Sequence, residues 1–195
     1  MAAKTIDRRV RRTRTALQHA LIALILKKGY DAVTVEDICT EADIGRSTFY
    51  LHYSGKDDLK RSGLEHLRDQ LARRQQAAAA NGARGTFAFI EPLFEHAAQH
   101  AELYRALAGS RGGEIFLGGI REVVGELARE ELAAWHGRQD GIRREAAVSY
   151  LAGACISVLV WWLEAGTEEP AAQMAALLRA FAENGVLQPV GTAHR

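Results

Sequence analysis

The stretch from Val33 to Tyr53, VTVEDICTEADIGRSTFYLHY, admits few folds. Thr34 followed three places on by Asp37 is an N-cap pattern. Val35, Ile38, Cys39 and Ala42 then recur at helical spacing. Asp43 fits a tight turn, because Asp tolerates left-handed backbone. Gly45 opens a second short helix through His52. Phe49 and Tyr53 stand four apart and so share a face. Helices this short are marginal alone, so their stability must come from packing on something longer.

That support is expected just upstream. Ala16, Leu17, Ala20, Leu21, Leu24 and Ile25 give a helical stripe over about 8–28, and Gly29 ends it. Phe49 and Tyr53 can pack back against Leu24, Val35 and Ile38, which turns Arg46, Ser47, Tyr50 and Leu51 outward. A long helix and two short ones joined by a tight turn make a helix-turn-helix unit, whose last helix enters the DNA major groove in proteins that use it so. Arg46 suits guanine O6 and N7, and the hydroxyls of Ser47, Thr48 and Tyr50 suit phosphate oxygens.

Charge points the same way. Residues 1–62 carry 12 Lys/Arg against 8 Asp/Glu, whereas 63–195 carry 13 against 16, so the chain's net +1 hides a basic front. Lys4, Arg8, Arg9, Arg11, Arg12 and Arg14 face only Asp7 in the first fourteen residues. This suits a polyanion contacted at one end, with Arg12 and its neighbours reaching an adjacent minor groove or the backbone.

The run VTVEDICTEADIGRSTFYLHYSGKDDL, Val33 to Leu59, resembles the DNA-binding domain of the tetracycline-repressor (TetR) family, and with the preceding helix the resemblance covers about residues 8–62. The Thr-x-x-x-Ile start, the Ala before the turn, Thr-Phe-Tyr-x-His-Tyr and the following Lys-Asp-x-Leu all fall in register. It implies phosphate contacts for Thr34, Tyr50 and Lys56, base-edge contacts for Arg46, Ser47 and Thr48, and groove and backbone contacts for Leu51 and His52. Asp43 stands where the family usually has glycine, and Gly45 where a serine-like cap is common. The negative charge of Asp43 is expected to weaken DNA affinity slightly.

Further along, Ser54 with Asp57 reads as a second cap, opening a helix over 56–76 with Leu59, Leu64, Leu67 and Leu71 apolar. The stretch AAAANGARG, Ala77 to Gly85, loses periodicity and marks a break. Helices are expected near 86–99, 101–108, 114–136, 142–165 and 170–184, the last begun by Pro170. The organisation expected is therefore a DNA-binding domain over 1–55, a connecting helix over 56–76, a larger helical domain over 77–186 and a tail, 187–195. Strand patterns are missing from the sequence, so the fold class is all-α.

Ala146 to Leu163, AAVSYLAGACISVLVWWL, has eighteen residues without a charge, the lower limit for a membrane span. Its Ala, Gly and Ser content fits a buried helix better, because a helix apolar all round can cover its own domain and a partner at once. The N-terminus lacks the apolar core of a secretory signal, and Cys39 and Cys155 sit among apolar neighbours, as reduced buried thiols do. A cytoplasmic protein without membrane contact is expected.

Residues 86–184 resemble the family's C-terminal domain more loosely, and Ser149 to Val186 resembles a common subtype of it. The resemblance implies a homodimer joined by the last two long helices, with Leu151, Ala154, Val158, Trp162, Met174, Leu178 and Phe181 at the interface. It also implies a small effector of unknown identity, with Phe87, Phe94, His96, His100, Tyr104, Phe116 and Trp161 as candidate pocket lining. His96 and His100 are spaced for a metal, but no His-Glu-x-x-His pattern completes the set, so neither metal nor cofactor is expected. Enzyme motifs are missing as well: there is no Gly-x-Ser-x-Gly, phosphate loop or dinucleotide fingerprint. GSRGGE lacks the strand that a phosphate cradle needs, and the adjacent Glu130 and Glu131 cannot face each other on a helix.

The function expected is a transcriptional regulator, with repression as the expected sense. It would bind a near-palindromic double-stranded operator as a homodimer and be released by its effector. The competing expectations are a helical small-molecule-binding protein with weak or no DNA affinity, and a membrane-associated helical protein.

Overall fold

A computed structural model of the chain describes residues 2–80, 86–108, 113–135, 141–166 and 168–187. Among the described residues nine α-helices run in order: α1 Ala2–Lys28, α2 Val35–Glu41, α3 Arg46–Tyr50, α4 Lys56–Ala80, α5 Ile90–Gln99, α6 Ala101–Ala108, α7 Gly113–Trp135, α8 Gly141–Ala165 and α9 Ala171–Ala182. A π-helical turn, Glu183–Leu187, follows α9. No strand occurs among the described residues.

The chain forms two compact units, Met1–His66 with Ala106–Leu117, and Leu67–Arg105 with Gly118–Arg195. The first is built around Leu17, Leu21, Leu24 and Ile25 of α1, Ile38 and Cys39 of α2, Phe49 of α3, Tyr53 and Leu59. The helical spacing read from the sequence is thus the buried stripe of α1. Gly29 ends that helix with φ 77°, its N–H bonding Ile25 O at 2.8 Å, the left-handed finish that glycine adopts without cost. Asp43 makes the turn between α2 and α3 with φ 52°.

α4 begins at Lys56, so its third residue is Asp58, and it is Asp58 that accepts hydrogen bonds from the Ser54 N–H at 2.9 Å and hydroxyl at 3.1 Å. This corrects the expected pairing of Ser54 with Asp57. Asp57 instead accepts the hydroxyl proton of Tyr30.

In the second unit α5 packs on α9, and α8 packs on both. Val148, Leu151, Ala152, Cys155, Ile156, Leu159, Trp162 and Leu163 form the buried stripe of α8, with Trp162 against Phe94 of α5. Gly141–Ala165 is long and apolar enough by composition to cross a membrane, and nearly half of its most apolar window is buried inside the protein. Both cysteines are free and buried, and burial pushes the Cys155 thiol up to about 12.

One buried polar cluster fixes the entry to α5. Phe87 is buried with φ 56°, a conformation bulky residues rarely adopt. Its N–H donates to Glu131 of α7. The other Glu131 oxygen accepts the Gln75 amide at 2.7 Å. Beside it the buried Thr86 hydroxyl donates to Glu183 in the π turn. Burial raises the Glu131 carboxyl above the ordinary glutamate value, against the lowering effect of the Phe87 N–H and the Gln75 amide.

Candidate nucleic-acid interface

α3 is five residues long and makes sense only as a packed element. Phe49 is 0% exposed and meets the Tyr53 ring at 5.9 Å, which ties one side of the helix to the core. Everything else on it turns out. Arg46 and Ser47 are exposed and Thr48 half-buried. Tyr50 is 52% exposed and Leu51, the C-cap, 81%. His52 is half-buried, its ring 6.3 Å from that of Tyr53. Together these side chains offer an arginine, two hydroxyls, an aromatic ring and an aliphatic group on one outward face. Gly45 caps α3 without a side-chain hydrogen bond.

Arg46 is free to reach outward. Its guanidinium lies 4.0 Å from Glu36, with both side chains well exposed, so water and salt screen the pair and it holds little. Arg8, Arg9, Arg11, Arg12 and Arg14 on α1 are all exposed, and none has an ion-pair partner among the described residues. A cluster of exposed guanidiniums on one helix suits contact with a polyanion.

Thr34 and Lys56 are placed differently from the outward residues. The Thr34 hydroxyl accepts from the Asp37 N–H at 3.1 Å and donates to its carboxylate at 2.6 Å, while the Thr34 N–H donates to the same oxygen at 2.7 Å. The Lys28 ammonium, 2.7 Å from that oxygen, and Thr34 together hold the Asp37 carboxyl well below the usual carboxylate range. Thr34 is therefore first a helix cap. The Lys56 ammonium donates to the carbonyls of Tyr30 at 2.9 Å, Asp31 at 3.2 Å and Val33 at 2.9 Å, and lies 4.7 Å from the centre of the Tyr30 ring. All three of its protons thus close the α1–α2 loop. No local pattern announces this, since it joins residues more than twenty positions apart.

Of the seven residues expected to line an effector pocket, six lie in the second unit and Phe116 in the first. Phe87, Phe94 and Tyr104 are buried in the second unit, Phe94 against Trp162 at 5.5 Å. The His96 ring lies 4.6 Å from that of His100 and 6.1 Å, edge-on, from that of Tyr104. The Tyr104 hydroxyl is buried without a hydrogen-bond partner. Phe116 belongs to the first unit instead, packed on its core, because the first turn of α7 covers that apolar surface. Trp161 is 57% exposed, since one residue along a helix turns it about 100° away from the buried Trp162. His96 alone of the seven lines the groove between α4 and α5, of about 390 Å³, with Gln70, Leu71, Arg73, Arg74, Ala77, Pro92, Glu95 and Gln99. No cluster of three metal-ligating side chains occurs among the described residues.

The expected dimer residues divide similarly. Leu151, Trp162, Met174 and Leu178 are buried in their own unit, Ala154 and Val158 are half-buried, and Phe181 is 55% exposed. The apolar residues left in solvent on α8 and α9 are Ile142, Tyr150, Trp161, Leu177 and Phe181.

A three-helix unit that turns a short, polar-and-aromatic helix outward beside a basic first helix defines a helix-turn-helix DNA-binding regulator. Residues 18–61 match the family described as bacterial regulatory proteins, tetR family. Residues 86–184 match its transcriptional regulator C-terminal region. The chain belongs to the TetR family of transcriptional regulators. Such regulators act by binding DNA, not by catalysis.

An uncharacterized HTH-type transcriptional regulator of Bacillus subtilis, YxbF, is 43% identical over 63 residues, which is 32% of this chain and 17% of that protein. The chain thus aligns with under a fifth of the length of this curated relative. Among solved structures, a TetR transcriptional regulator from Streptococcus agalactiae is 23% identical with a TM-score of 0.58, covering 92% of this chain and 98% of its own. NalD of Pseudomonas aeruginosa, the secondary repressor of the MexAB-OprM multidrug efflux pump, is 20% identical with a TM-score of 0.56, covering 93% and 99%. Both share the fold.

Proposed function

We propose that the protein is a cytoplasmic repressor that binds a near-palindromic operator as a homodimer and leaves it when a small effector enters the helical C-terminal unit. The observation that carries the reading is α3 itself, with Phe49 sealed in the core while Arg46, Ser47, Tyr50 and Leu51 stand in solvent. In this reading Arg46 reads guanine in bidentate fashion, and Ser47 and Thr48 reach base edges or phosphates. Tyr50, Leu51 and His52 line the groove and its wall, and the exposed arginines of α1, Arg12 among them, hold the flanking backbone. Thr34 and Lys56 act chiefly by setting the loop and helix ends against which phosphates rest.

Two copies meet through the apolar residues that α8 and α9 leave exposed, Tyr150 and Trp161 with Leu177 and Phe181. A twofold pair of that kind sets its recognition helices about 34–36 Å apart, one turn of DNA.

The test is Arg46→Ala, read by anisotropy on a selected operator and on random duplex across a salt series. Loss of a bidentate guanine contact is expected to cost about 1–3 kcal/mol on the operator and far less on random DNA. An equal loss on both would remove Arg46 from base reading.

A further inference from the structure

The groove between α4 and α5, entirely within the second unit, has a chemistry of its own. Its walls carry two guanidiniums, Arg73 and Arg74, against one carboxylate, Glu95. Arg74 is held by Glu95 at 3.0 Å across the groove. Arg73 is exposed and has no ion-pair partner among the described residues. The rest of the lining is mixed, with Ala77 and Pro92 presenting apolar surface over the buried Leu71, and Gln70, His96 and Gln99 adding polar groups. A space of about 390 Å³ falls in the range that small ligands occupy.

We propose that this groove binds a small carboxylate-bearing molecule with a short aliphatic body. Arg73 takes the carboxylate with its planar pair of N–H donors, a geometry that favours carboxylate over a point-charge contact. Arg74, already aligned by Glu95, flanks the anion, and the aliphatic body lies on Ala77 and Pro92. The Arg74–Glu95 pair makes the site selective, because Glu95 repels a second anion and favours a ligand with a single charge. That this ligand is also the effector rests on the reading of a ligand-released repressor; that it binds does not.

Octanoate is the probe, with octanamide as its neutral analogue, octylamine as its cationic one and inorganic phosphate as the bare anion. Titration calorimetry on the full chain is expected to find octanoate binding, weakened about tenfold by Arg73→Gln, the loss that one charged hydrogen-bond pair represents. Octanamide should bind wild type no better than octanoate binds the variant. The proposal is overturned if octanoate fails to bind up to its solubility limit, or binds Arg73→Gln as well as wild type. It is equally overturned if octylamine or phosphate matches octanoate. Because Arg73 is exposed, the variant is expected to keep the wild-type circular dichroism spectrum and melting temperature, and Arg73→Lys should lose most of the same affinity because lysine lacks the paired donors; full retention in Arg73→Lys overturns the paired contact. A separate arm measures operator affinity with octanoate present. Binding without any change in operator affinity supports the site and contradicts the effector role. Release of operator by some other metabolite, with no octanoate binding, contradicts the site and leaves the repressor reading standing.

Discussion

Lys56 closes the loop between α1 and α2 with a single side chain. Its ammonium gathers the carbonyls of Tyr30, Asp31 and Val33, so Lys56→Met takes a donor from each of three acceptors in the α1–α2 loop, of which only the Tyr30 carbonyl keeps another, the Val33 N–H at 3.1 Å, among the described residues. Unfilled acceptors of this kind cost about 1–3 kcal/mol when they cannot rehydrate fully. Urea denaturation should show a loss within that range, and operator and random DNA should lose affinity together. A variant of wild-type stability, with the salt dependence of binding flattened by about one unit of slope, would instead mark Lys56 as a plain phosphate contact. The sequence resemblance implied only the second role. Its short-range signals could name the residue but not the loop it closes, because that loop lies more than twenty positions upstream.

At the scale of elements, the first sixty residues were legible because nearly every helix end there has a local chemical cause. The Thr34–Asp37 capping box, the positive φ of Gly29 and Asp43 and the buried Phe49–Tyr53 pair all follow from side chains within a few positions. The second cap slipped by one residue, since two adjacent aspartates offered themselves and only the true helix start decides between them. In α8 the failure is of another kind. Apolar side chains run round the whole helix, so periodicity cannot say which face turns inward, and the expected dimer list took in Leu151 and Trp162, which the core has already claimed. The entry to α5 was hidden too, because the left-handed position falls on Phe87 instead of on a glycine, and a carboxylate more than forty residues away holds it there.

That carboxylate gives an element-scale prediction. Burial raises the Glu131 carboxyl, so the folded protein keeps its proton where the unfolded chain has lost it. Stability from this group is therefore greatest below the ordinary glutamate range and falls as pH rises through the window above it. Glu131→Gln removes that slope. Melting temperatures of wild type and variant should diverge systematically between mildly acidic and neutral pH, and parallel curves would show that Glu131 titrates as an ordinary surface acid.

For the whole molecule, the proposed homodimer places Tyr150, Trp161, Leu177 and Phe181, all exposed in the single chain, at its interface. Trp161→Glu with Phe181→Glu places two charges on that surface without entering the core. Light scattering is expected to find monomers, with operator affinity falling far more than affinity for a single half-site. A dimer that survives both charges would move the interface elsewhere. The account as a whole is tested most directly by selecting bound duplexes from random DNA. It predicts an enriched inverted repeat whose half-site centres lie about 10 base pairs, or a multiple, apart, with one guanine in each half-site that loses its enrichment in the Arg46→Ala protein. Enrichment of a single unrepeated site, or no enrichment over the starting pool, would contradict it.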